Sequence, residues 1–129
     1  MTGNMTRLAQ EQGAAFSDLL DDIRGLSGEA RATAVAAAVK GLRATADNEG
    51  AALELMTWAT HAGEDRRLAA VDVLRAAKDM NLVRMLVARV ERPAGADEAA
   101  ASLTILTNQS FGKDAAAWRR WLDGGGTPW

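Results

Sequence analysis

Glu64-Asp65-Arg66-Arg67-Leu68-Ala69-Ala70-Val71-Asp72-Val73-Leu74 is the stretch on which the fold turns. Leu68, Val71 and Leu74 return every third residue, so on a helix they share one face. Glu64 and Asp65 lead, where negative side chains meet the unpaired N–H groups of a helix start. Moving 32 positions either way finds the same lettering: Val39, Val71 and Leu103 fall in register, and so do Leu42, Leu74 and Leu106. Ala37, Ala69 and Ala101 also match, as do Arg43 with Arg75, Asp65 with Asp97, and Asp47 with Asp79. Ala-rich helices align with themselves at many offsets, but here the loop residues align too. A helix pair cannot bury all its apolar surface alone, and stacking of successive pairs completes the core.

Working outward, helical spacing predicts a first helix over about 6–24, with Leu8, Ala15, Phe16, Leu19, Leu20 and Ile23 in one stripe. Gly25 is placed to end it and Ser27 to cap the next, over about 28–44, with Val35, Val39 and Leu42 inward. Asn48 caps a third, about 49–61, carrying Leu55, Met56, Trp58 and Ala59. The fourth covers about 64–78 and the fifth about 82–92, after a break at Asp79-Met80-Asn81. Pro93-Ala94-Gly95 must turn, because Pro lacks an N–H and disfavours helical geometry at Arg92. A sixth helix follows over about 97–107, then a Phe111-Gly112 turn and a seventh helix capped by Asp114. No stretch alternates as a strand does. The expectation is an all-α chain of about seven helices in one domain over 1–123. Residues 1–26 form the amino-terminal helix, 27–109 the repeats and 110–123 a capping helix, with 124–129 a flexible tail.

Composition agrees. The 129 residues are 48% hydrophobic, with Ala the commonest of these, no Tyr and only two Pro, which favours helix. A chain of this length buries roughly 65–70% of its unfolded surface, so its core needs no metal or disulfide. The lack of Cys excludes disulfides, thiolate metal sites and a Cys nucleophile, and fits a reducing cytoplasm. Arg7, Glu11 and Asp18 interrupt the amino-terminal region, which is not expected to act as a signal peptide, and the small-apolar run Ala34–Val39 is far too short for a bilayer. A cytoplasmic protein without membrane contact is expected.

The stretch 64–74 resembles the second helix of a short HEAT-like repeat of the type found in phycobilin-lyase-related proteins. Leu106-Thr107-Asn108-Gln109-Ser110-Phe111-Gly112-Lys113-Asp114, followed by Trp118-Arg119-Arg120-Trp121, resembles the element that closes many bacterial HEAT-repeat proteins. In that family a leucine-threonine-glycine-glutamine-x-phenylalanine-glycine run leads into a Trp-x-x-Trp helix. Here Asn108 stands where Gly is commoner, and Asn tolerates the left-handed backbone nearly as well. The resemblance covers about 48–123. It implies a short right-handed α-α superhelix of helix pairs, and scaffolding or adaptor work rather than catalysis.

Candidate chemistry is sparse. His61, the only histidine, ends a predicted helix with no metal set nearby. Asp21 and Asp22 are helix neighbours about 100° apart and do not face each other. Gly124-Gly125-Gly126 lacks the Lys-Ser/Thr of a phosphate loop, and Ser17, Ser27, Ser102 and Ser110 lack nucleophile context. No catalytic, cofactor or metal residues are expected. Asp114, Trp118 and Trp121 are read as the structural cap, with Trp118 buried against the sixth helix. The partner-binding candidates are Lys40, Arg43, Arg75 and Lys78, which stacking would gather into one basic ridge for an acidic protein segment, together with Trp58. Two other readings stay open: nucleic-acid binding through the ridge, opposed by a net charge of −2 and the acidic first helix, and a bilin lyase-like or chaperone role, which rests on the resemblance alone.

Overall fold

A computed structural model describes residues 16–44 and 49–129. Every regular element among them is a helix: α1 over 16–23, α2 Gly28–Arg43, α3 Glu49–Ala59, α4 Glu64–Ala77, α5 Met80–Val90, α6 Ala96–Thr107 and α7 Ala115–Asp123. No strand occurs among the described residues. The expected first-helix residues before Phe16, and the Asn48 cap, lie outside them.

α3 packs on α4 and α5 on α6, as two hairpins. α2, α4 and α6 then lie side by side in one row, while α3, α5 and α7 make a second. α1 lies on α2, where Leu19 Cδ1 would stand 2.6 Å from a Cβ at Gly41, so the missing side chain admits this close approach. The equivalences of the 32-residue register hold in space: Leu42, Leu74 and Leu106 are buried, and so are Val39, Val71 and Leu103. Ala37 departs from them, being exposed where Ala69 is buried. The reason is position in the row. At 100° per residue, the buried residues of α2 (Val35, Ala38, Val39, Leu42) cover an arc of about 100°, whereas those of α4 (Ala69, Ala70, Val71, Val73, Leu74, Ala77) cover about 200°. Only α4 has a row neighbour on both sides.

Several helix ends differ from the sequence-based boundaries. α5 starts at Met80 rather than Leu82, because Asp79 is its cap: its Oδ1 accepts from Asn81 N–H at 2.9 Å. α3 stops at Ala59, short of His61, and α4 stops at Ala77, with Lys78 in the left-handed region at φ 52. Ser27 does precede α2 with extended backbone, but its hydroxyl makes no capping bond. Gly28 follows at φ 58, so this helix start departs from capping geometry. Asn108 adopts φ 59 at the end of α6, the left-handed position for which its residue type was noted.

The far end is closed by α7. Asp114 accepts from Ala117 N–H at 3.0 Å, capping its own helix. Trp118 is 0% exposed, its indole N–H donates to Gly112 O at 2.8 Å, and its ring meets Phe111 edge-on at 4.9 Å and Trp121 edge-on at 6.3 Å. The expected neighbour was the sixth helix, but α7 packs chiefly on α5. The turn 108–114 carries the chain from the end of α6 back to the other row. Arg119, also on α7, pairs with Glu91 just after α5 at 2.5 Å. The run 124–129 folds back, with Gly126 N–H on Trp121 O at 2.9 Å and its backbone against the Trp121 indole. Trp118→Ala is expected to lower stability by about 3–5 kcal/mol and Asp114→Ala by about 1 kcal/mol. Chemical denaturation of both variants measures this, and an unchanged midpoint for Trp118→Ala contradicts its role as the plug.

Candidate functional site

Because the row helices alternate with the helices of the second layer, α2, α4 and α6 run parallel. Their starts therefore share one edge of the molecule and their ends the other. The starts are acidic, with Glu29 on α2, Glu64 and Asp65 on α4, and Asp97 and Glu98 on α6. The ends of the first two are basic, with Lys40 and Arg43 on α2 and Arg75 on α4, followed by Lys78. Each charge suits the partial charge of its own helix terminus. Side by side, the ends give the row a basic edge, whereas the acidic starts are interleaved with Arg31, Arg66 and Arg67 and paired in part with Arg24 and Lys113.

All four basic candidates are exposed, and they lie in or just after the last turns of two neighbouring row helices. Arg43 Nη2 donates to Ala77 O, in the last turn of α4 and one residue before Lys78. Arg75 Nη2 donates to Ile105 O, in the last turn of α6, at 3.2 Å. Both carbonyls belong to the final turn, which has no partner within its own helix. Equivalent arginines thus stitch each row helix to the next through the same kind of acceptor. Arg75 Nη1 also lies 3.7 Å from Asp72, and its side chain stays 47% exposed. The arginines are not held by Asp79, which caps α5, and Asp47 lies outside the described residues. The side chains of Lys40 and Lys78 make no hydrogen bond or ion pair among the described residues.

Trp58 does not belong with them. It is 4% exposed, its Nε1 donates to Glu54 at 3.1 Å, and Arg66 covers the ring at 5.2 Å from its centroid. As a surface anchor for a partner it is corrected: the apolar ring is part of the core of α3. Asp114, Trp118 and Trp121 sit at the capping end. His61 is a turn residue, with Nδ1 accepting from Gly63 N–H at 2.8 Å while Arg67 bonds the His61 and Ala62 carbonyls at 2.8 and 2.9 Å. Ser102, buried, donates to Ala59 O at the end of α3. Asp21 pairs with Arg24 at 2.8 Å, and Asp22 is exposed.

Sequence reasoning missed Arg31. Its Nε bonds Asp72 at 2.6 Å, and its Nη1 donates to Ile23 O at 3.0 Å and Leu26 O at 3.3 Å. It holds the α1–α2 turn and α4 together. Arg31 and Arg67 are each the fourth residue of a row helix and each bonds carbonyls of the preceding turn, a match visible when helix starts rather than helix ends are aligned. Beside Arg31 runs a groove of about 380 Å³ between α2 and α4, lined by Gly28, Ala32, Val35, Ala36 and Ala76 and walled by Arg31 and Asp72. Among the described residues no group of three His, Cys, Asp or Glu is placed to hold a metal ion, and no helix is long and apolar enough to cross a membrane. Comparison with protein-family models, with curated proteins and with solved structures found no match.

Two exposed ion pairs tie distant segments and set an acid limit. The Arg24 guanidinium, bonded to Asp65 at 2.8 Å, holds that carboxyl below its ordinary value, and Arg119 does the same to Glu91. Carboxyls depressed on folding contribute stability above their ordinary pKa values of 3.8 and 4.5, and lose it as the pH falls through the lower folded values. The double variant Asp65→Asn, Glu91→Gln is therefore expected to lose less of its stability than the parent between about pH 5 and pH 3. Melting curves across that range check it; parallel acid dependence in both proteins contradicts it. Replacing Arg43 by Ala removes one stitch and is expected to cost about 0.5–1.5 kcal/mol in the same assay at neutral pH.

Proposed function

We propose that this chain is a non-catalytic protein-interaction module, a small HEAT-like scaffold or adaptor of bacterial, cytoplasmic type, and that its basic edge receives an acidic segment of a partner protein. The observation that carries the reading is the gathering of Lys40, Arg43, Arg75 and Lys78 on one exposed edge of parallel helices. Arg guanidiniums anchored on a carbonyl keep further N–H groups in fixed directions and can hold carboxylates in two-pronged fashion. The two lysines supply mobile charge on either side. Such an edge speeds encounter with an acidic surface, and the effect fades as salt rises.

The division of labour between Arg and Lys supplies the test. Lys40→Glu with Lys78→Glu reverses the charge and leaves both stitches in place. Its melting temperature should fall only modestly, since an unfavourable charge at a helix end costs about 0.3–1 kcal/mol, while capture of partners from the native cell at low ionic strength should fall sharply. Arg43→Glu with Arg75→Glu should lower both capture and melting temperature. If the lysine double variant captures the same proteins as the parent at low salt, the basic edge is not the binding surface.

A further inference from the structure

We infer that the α2–α4 groove and the basic edge are two ends of one docking site, and that its occupant is a short partner segment carrying a large apolar side chain with a pair of carboxylates close by. This deepens the reading of the basic edge as the binding edge and rests on it. The groove itself is set by side-chain size. Ala32 and Ala36 on α2 and Ala76 on α4 are exposed and small, so a depression remains between two packed helices, floored by Val35. At about 380 Å³ it stands at the small end of ligand-sized pockets, roughly 300–1,000 Å³. That suits one or two side chains, not a whole helix.

The continuity with the basic edge follows from helix geometry. Ala32, Ala36 and Lys40 are four residues apart and lie on one face of α2, with Arg43 one turn beyond Lys40. On α4, Asp72 and Ala76 line the groove, and Lys78 follows at the end of the helix, with Arg75 on the side towards α6. Arg43 crosses to Ala77 O next to Ala76, closing the two walls together where the charge begins.

The other end is closed. Arg31 there is committed to Asp72, Ile23 O and Leu26 O. Asp72 matches Arg31 there at 2.6 Å, while Arg75, 3.7 Å from the same carboxylate, reaches away to Ile105 O and belongs to the basic edge. Carboxylates therefore find uncompensated cations only at the Lys40 end, while an apolar side chain finds its place among the alanines. This charge asymmetry fixes which end of the segment goes where. The α4–α6 side offers no such arrangement, since α6 carries no basic residue in its last turn and Ile105 stands 44% exposed there.

A random peptide display library, selected on the intact chain at low ionic strength, supplies the probe. Enriched peptides should pair a large apolar residue with two nearby Asp or Glu. The tightest of them, labelled, is then titrated by fluorescence anisotropy against the parent, Ala36→Gln, Ala76→Gln, and Lys40→Glu with Lys78→Glu. Gln is uncharged and helix-compatible, and the two Gln variants fill opposite walls of the groove, so an accidental loss of folding in one, seen in its melting curve, leaves the other to decide. Each Gln variant and the lysine pair should weaken binding about tenfold or more, with melting temperatures unchanged for the Gln variants and only modestly lower for the lysine pair, whose reversed charges sit at helix ends. Weakening by the lysine pair alone removes the groove from the site and leaves the basic edge standing. Weakening by neither class of variant overturns both readings. Enriched peptides without an apolar residue, no enrichment at all, or displacement of the peptide by equimolar single-stranded DNA would each overturn the inference.

Discussion

α4 is apolar around more than half of its circumference, and the rest of the molecule is arranged to cover it. A helix on the surface of a domain needs one apolar stripe of about 100°. The buried residues of α4 span about twice that, so water must be excluded from two sides and from below. α2 takes one side, α6 the other, and α3 the third. Because α3 and α6 have their own apolar faces, they in turn need α5, and α5 needs α7. The indole of Trp118 ends this chain of dependence. It brings a large apolar surface with one polar atom, and that atom is satisfied at Gly112 O.

Covering α4 in this way makes its row parallel, and a parallel row has an electrostatic consequence. The carbonyl ends of α2, α4 and α6 gather along one edge, each without intrahelical donors. Arg43 and Arg75 meet this by donating to the last turn of the next helix along. The arrangement accounts for the stacking contacts and for the positive edge with one device. Acidic residues at the helix starts do the complementary work on the opposite edge. The proposed binding surface is thus a by-product of how the helix ends are satisfied, and the lysines beside it carry charge that the fold uses only through the helix ends.

The groove has a different origin. Where two parallel helices meet, the outward surface between them is either filled by long side chains or left open. Alanine at 32, 36 and 76 leaves it open, and the Arg31–Asp72 pair bounds it. Alanine is the strongest helix former, so these positions serve α2 and α4 while keeping the space above Val35 accessible.

Much of the fold was legible because periodicity and capping act locally. The spacing of Val39, Val71 and Leu103, and of Leu42, Leu74 and Leu106, marked the buried face of each row helix, and those residues are buried. The left-handed stop at Asn108 and the cap at Asp114 depend only on neighbouring backbone, and both were readable. The same locality explains the misplaced start of α5: Asp79 was read as a break when it was a cap. Other features needed the assembled structure, because they join residues far apart in the chain. Trp58 lies in the core because α3 is flanked on several sides, and no local pattern separates that from an exposed ring. α7 rests on α5 because the turn after α6 reverses the chain into the second row. Arg31 meets Asp72 across 41 positions, and Ala32, Ala36 and Ala76 become a groove only when α2 and α4 are side by side. Composition and spacing determined which residues form helices and which faces turn inward. Which helices touch, and so which charges and cavities share a surface, was decided by the packing of α4.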